Sequence, residues 1–142
     1  MHTRTRNPRS GFTLAELMVV IVIIGLLATL VVPNVVAKLG RANTTKARAD
    51  IVAIAKAVED YMINNNGRFP DSLEALVQED ERGESYLQQT QVPKDPWGNE
   101  YGYESPPSGS RKFRVFSYGK DGTPGGEGDD ADIDNIMIRD GK

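Results

Sequence analysis

The chain has 142 residues, 26% of them charged, with a formal net charge of -3, enough for one modest domain beside a membrane anchor. Cysteine is absent and the single histidine is His2. That excludes a Cys/His zinc site, a cysteine nucleophile and a Ser-His-Asp triad beyond the first residues, and with no paired-acid motif the inventory argues against an enzyme. Arg4, Arg6 and Arg9 precede Gly11 with no acid among them, leaving 14 basic against 20 acidic side chains after it, a balance that excludes nucleic acid as a partner.

The first informative segment is the junction Arg9-Ser10-Gly11-Phe12-Thr13-Leu14-Ala15-Glu16-Leu17, after which no charge occurs from Leu17 through Ala37. That uncharged run is 21 residues long, sufficient to span a hydrocarbon core of roughly 30 Å as a helix. A carboxylate at its edge is costly and marks Glu16 as a functional candidate. The basic start predicts that residues 1–11 stay in the cytoplasm and that everything after the anchor lies across the membrane. A conventional secretory peptide has a shorter apolar region and a small-x-small exit, which this run lacks. A plain signal anchor explains the apolar length and the arginines, but leaves Glu16 and the Gly11-Phe12 step unexplained.

The junction resembles the class III cleavage and methylation site of type IV pilins and type II secretion pseudopilins. The resemblance implies that a prepilin peptidase cuts between Gly11 and Phe12, methylates the new amino terminus on Phe12, and leaves Glu16 fifth in the mature chain. It implies a filament subunit. Glu16 follows Phe12 by about one helical turn, so in a staggered bundle the acid of one subunit can meet the Phe12 amine of another. The uncleaved leader would block that pairing.

After Pro33, which can only kink a continuing helix, Ala47, Ile51, Ile54, Ala55, Val58, Tyr61 and Met62 recur at steps of three and four. They form one face of an amphipathic helix, with Arg48, Asp50, Lys56, Glu59 and Asp60 on the other. Asn64-Asn65-Asn66-Gly67 supplies a C-cap signal, predicting a helix from about Thr13 to Asn65, on the order of 80 Å if continuous. Its first half needs lipid or neighbouring subunits, and its second half supports a small domain. Phe69–Val77 reads as a short helix with Asp71 or Ser72 at its cap and Glu74 placed as in a capping box. Glu79–Glu84 is a charged, solvated loop. Pro93–Asn99 is a turn in which Trp97 caps the core, Pro96 fixes the backbone, and Asn99 takes positive φ or bonds its own backbone. Glu100–Glu104 and Lys112–Tyr118 read as strands around the loop 105–110, and Ile133, Ile136 and Ile138 as a last strand.

The string Asp95-Pro96-Trp97-Gly98-Asn99-Glu100-Tyr101 resembles one that marks the type II secretion major pseudopilins, the general secretion pathway protein G family. Ordinary type IV pilins lack that string and tend to close their C-terminal loop with a disulfide, which this chain cannot form. The tail from Gly119 to Asp134 gathers acids among glycines. By chemistry alone it is as readily a solvated acidic turn as a cation site, since its spacing is not that of an EF-hand. The resemblance implies a structural Ca²⁺ there, with Ser117, Asp121, Asp130 and Asp132 as its metal-site residues. Asp121 matches the first acid of the Gly-Xaa-Asp-Gly turn, Asp130 and Asp132 match the Asp-Ala-Asp acids, Ser117 precedes the turn, and Asp129 is an extra neighbour able to replace Asp130. The chain departs from the family at Asn135-Ile136, where a tryptophan commonly follows the asparagine.

The expected architecture is α+β and type IV pilin-like: a long N-terminal transmembrane and amphipathic helix packed on a small antiparallel β-sheet, with a C-terminal calcium-binding loop. Residues 1–11 are the leader, 12–37 the membrane and assembly half of the helix, and 38–142 the periplasmic domain. The resemblance implies the major subunit of a type II secretion pseudopilus, a homopolymer that drives export of folded proteins. Its partners would be minor pseudopilins, the inner-membrane assembly platform and the prepilin peptidase. A type IV pilin of a surface fibre is the alternative.

Overall fold

A computed structural model of the chain describes residues 11–79, 83–107 and 109–141. The leader other than Gly11, and the middle of the charged loop at 80–82, lie outside the described residues. The chain divides into two units, Met1–Lys38 and Leu39–Lys142.

Helix α1 is Leu14–Asn64. Within the first unit its apolar side chains are uncovered, Ile21 at 66% and Leu30 at 69% exposure among them. A helix that apolar on all sides is stable only in lipid or against other helices. It is the one helix among the described residues long and apolar enough to cross a membrane.

Within the second unit the predicted stripe forms the core. Ala47, Ile51, Ile54 and Val58 of the stripe are buried in one cluster with Ala57, which the stripe leaves out, and with Leu73, Leu76, Tyr101, Phe113, Val115 and Ile133, while Ala55, Tyr61 and Trp97 pack against it partly buried. Each fully buried Ile or Val contributes about 1.5–3 kcal/mol. Asp50, expected on the solvated face, is instead half-buried: it accepts a 3.0 Å hydrogen bond from the Tyr101 hydroxyl and pairs with Lys46 one turn earlier. The helix closes as the asparagine run predicts. Asn66 stands at φ 56, and the Gly67 N–H donates to Met62 O at 2.9 Å, the bond of a Schellman close.

The short helix of Phe69–Val77 is a single 3-10 turn, Leu73–Leu76, that buries its two leucines. Ser72 takes the N-cap backbone position without a side-chain cap bond, so the expected capping box does not form. Its hydroxyl bonds the Glu74 carboxylate instead, which holds that acid below its ordinary range.

Three strands follow, β1 (Gly102–Glu104), β2 (Arg114–Ser117) and β3 (Ile133–Asp134), antiparallel in the order β1-β2-β3. Gly102 pairs with Phe116, and a Cβ there would lie 2.2 Å from the Phe116 ring, so the ring lies over the glycine. The expected last strand stops early. Ile136 and Ile138 belong to α2, Asn135–Arg139, because the Asp134 carboxylate caps it through the Met137 N–H. Asn135 continues the pairing with its side chain alone, accepting from Val115 N at 2.9 Å and donating to Phe113 O at 3.4 Å.

Candidate functional site

Two places carry the predicted site residues. At the first, Gly11 and Phe12 precede α1, with Phe12 86% exposed. Glu16 is not idle in the isolated chain. Its Oε2 accepts the Thr13 N–H at 2.7 Å and the Thr13 hydroxyl at 3.0 Å, while the Glu16 N–H donates to Thr13 Oγ1 at 3.2 Å. This is a reciprocal capping box, spelled in the sequence by Thr13-Leu14-Ala15-Glu16. It fixes the helix start at Thr13, the residue after Phe12, and keeps the carboxylate about one turn from Phe12.

The second place is the C-terminal loop, held by the tryptophan turn. Asp95 is 4% exposed. Its Oδ1 accepts from Trp97 N at 3.1 Å and Asn99 N at 2.8 Å, and its Oδ2 accepts the Ser117 hydroxyl at 2.7 Å. Gly98, not Asn99, takes the positive φ, at 97°. Asn99 bonds the loop rather than its own backbone: Nδ2 donates to Gly119 O at 3.0 Å. Asp95 and Asn99 are thus the loop's anchors, a role sequence reasoning missed. An Asp directly before Pro in a turn was the signal.

Ser117 is 1% exposed, and besides bonding Asp95 it accepts the Gly119 N–H at 3.1 Å. Asp121 braces its own turn, accepting from Thr123 N at 3.1 Å and Thr123 Oγ1 at 2.9 Å. Asp132 Oδ1 accepts the Gly125 N–H at 3.0 Å. The main chain at Asp130 is wrapped by glycine: a Cβ at Gly126 would lie 2.5 Å, and one at Gly119 2.9 Å, from the Asp130 carbonyl oxygen. Both glycines have positive φ, 85° and 72°, so both their space and their backbone require glycine. Asp129 turns elsewhere: its carboxylate lies 2.3 Å from where a Gly40 Cβ would stand, and its carbonyl accepts the Lys120 N–H at 2.9 Å. As a donor set the loop fits a hard cation in kind, since its carboxylates and carbonyls are all oxygen. Among the described residues, however, no three acidic side chains gather in ligating geometry.

An apolar helix opened by a Gly-Phe step, followed by a buried helical stripe against a three-stranded antiparallel sheet, defines a pilin-like subunit. The family model for the prokaryotic N-terminal methylation motif matches residues 6–32, and that for type II secretion system protein G matches residues 34–136. The chain belongs to the type II secretion system protein G family. It is 43% identical to the type II secretion system core protein G of Vibrio cholerae serotype O1, covering 93% of this chain and 94% of that one. It is also 43% identical to the core protein G of Pseudomonas aeruginosa, covering 92% and 96%. Among solved structures it matches the crystal structure of the major pseudopilin from the type 2 secretion system of enterohaemorrhagic Escherichia coli. That match has a TM-score of 0.56 and 30% identity, over 71% of this chain and 88% of that one.

Proposed function

We propose that the chain is the major subunit of a type II secretion pseudopilus and has a structural, not an enzymatic, role. The uncovered apolar half of α1, headed by Gly11-Phe12 and the Thr13–Glu16 box, carries this reading, because nothing else in a small domain accounts for it. The leader stays cytoplasmic, the helix spans the inner membrane once, and the domain from residue 38 lies in the periplasm. Prepilin peptidase cuts between Gly11 and Phe12 and methylates Phe12. Subunits then leave the membrane for a periplasmic homopolymer, working with minor pseudopilins and the inner-membrane platform to move folded proteins outward.

Glu16 supplies the assembly chemistry. One oxygen holds Thr13, leaving lone pairs of the carboxylate to accept from the methylated ammonium of a neighbour's Phe12. In a low-dielectric bundle such a charge-assisted bond is strong. In the loop, Asp121, Asp130 and Asp132 are the side chains that would hold a structural Ca²⁺, with main-chain carbonyls completing the set. Ser117 would brace the turn from behind, since its hydroxyl is already engaged by Asp95 and Gly119. The ion would neutralise the loop's acids.

The decisive experiment is intact mass of the protein from bacterial membranes, with secretion assayed in a strain lacking its own protein G. The expected mass is that of a chain starting at methylated Phe12, and secretion is expected to be restored. A mature terminus elsewhere, such as after Ala28, overturns the reading.

A further inference from the structure

Two faces of the second unit, built from different residues, carry opposite charge. A groove of about 530 Å³ lies between the Asp71–Val77 segment, the 90–94 segment and the start of β1. Asp71, Glu74 and Glu100 line it against one cation, Lys94, with the Tyr103 ring in its wall. The Tyr103 hydroxyl is buried without a hydrogen-bond partner among the described residues, and such a group calls for an explanation. Elsewhere, a depression of about 340 Å³ between α1, the 111–113 segment before β2, and α2 is lined by Lys56, Arg111, Lys112 and Arg139 against one acid, Glu59, around Val52 and Phe113. Lys56, Arg111 and Lys112 are exposed and form no ion pair among the described residues.

Resting on the reading above of the chain as a filament subunit, we propose that the acidic groove of one subunit receives the basic face of the next, led by Arg111 and Lys112. Beyond Gly11 the chain is short of cations, 14 against 20 acids, yet it concentrates four of them on this face. The occupant is a second copy because the chain itself displays both complementary surfaces. Joining two different faces is a heterologous contact, which propagates into an open helix instead of closing into a dimer. Opposed potentials of this kind fix register and reject wrong docking more than they add affinity. A guanidinium or ammonium entering the groove meets carboxylates and an aromatic wall.

The test uses the full-length chain, whose lack of cysteine lets introduced pairs report alone. Glu74→Cys combined with Lys112→Cys, oxidised in filaments sheared from cells, is expected to give a ladder of dimer, trimer and higher multimers. Each single variant is expected to stay monomeric. Glu74→Lys with Glu100→Lys is expected to lower filament yield about tenfold, and adding Arg111→Glu with Lys112→Glu to restore most of it. Normal filaments without a ladder, or folded charge-swapped protein without rescue, overturn the inference while the subunit reading stands. A cross-linked adduct to a different protein overturns it in favour of that partner. Absence of filaments from the unaltered chain overturns both.

Discussion

The Ser117 hydroxyl donates a 2.7 Å hydrogen bond to the Asp95 carboxylate, both residues being almost wholly buried. This single contact ties the tryptophan turn to the end of β2, at the point where the acidic loop begins. Ser117→Ala leaves one Asp95 oxygen buried without its donor, which costs about 1–3 kcal/mol. Urea unfolding of the detergent-solubilised chain is expected to show that loss. An unchanged midpoint would mean that the turn and the loop are not coupled through this bond.

The capping box separates two roles that Glu16→Ala would remove together. Glu16→Gln preserves the cap, since glutamine serves at that position, but removes the charge that a neighbour's Phe12 amine requires. The expected outcome is normal membrane insertion with failed filament growth and secretion for both variants, with Glu16→Ala also fraying the helix start. Filaments of normal yield from Glu16→Gln would assign the residue to helix capping alone.

What was legible in the sequence follows from period and from punctuation. The 3.6-residue stripe from Ala47 to Val58 became the core because spacing alone determines which side chains share a face. The helix stops at Asn65-Asn66-Gly67, with Asn66 and Gly67 at positive φ, because few residues other than glycine and asparagine take that conformation cheaply. The errors lie where a side chain competes with the backbone. Asp134 caps α2 and draws Ile136 and Ile138 out of the expected strand. Ser72, not Asp71, takes the N-cap, which puts Ala75 at the third helical position and leaves Glu74 one short of a capping box, bonded to the Ser72 hydroxyl instead. Asn99 reaches Gly119, 20 residues away, and no local pattern encodes a bond of that separation. At the candidate site the sequence carries no orientation: the folded chain turns the Asp129 carboxylate toward Gly40, which no spacing of acids and glycines encodes.

Tyr103 gives an alkaline signature. Burial, aided by the Asp71 charge, pushes its phenol up to about 12 from 10.0, so the fold favours the protonated ring. The associated stability is fully present below pH 10 and is lost as pH rises through 10 toward 12. Tyr103→Phe removes both this titration and a buried hydroxyl that has no hydrogen-bond partner among the described residues. It is expected to stabilise the chain by about 1 kcal/mol and to flatten its stability between pH 10 and 12. The flattening is partial, because burial and the bond to Asp50 raise Tyr101 in the same direction. Chemical denaturation across that range checks it, and identical slopes for the two proteins would refute the assignment.

The acidic loop makes the last prediction. Asp121 and Asp132 accept hydrogen bonds from Thr123 and Gly125, and Glu127 and Asp130 lie in the same short segment. An ion bound to the folded state alone stabilises by RT ln(1 + [L]/Kd), about 2.7 kcal/mol at a hundredfold excess over Kd. In a domain of this size that raises Tm on the order of 10 °C. Calcium is therefore expected to raise the melting temperature of the detergent-solubilised chain, and Asp121→Ala to abolish the increase. Asp129→Ala is expected to leave it intact, because that carboxylate faces Gly40. Magnesium is expected to substitute poorly, since it demands tight octahedral geometry and gives up its waters reluctantly. Equal melting temperatures in calcium and in chelator would return the loop to a solvated acidic turn, held by Asp95, Asn99 and its own hydrogen bonds.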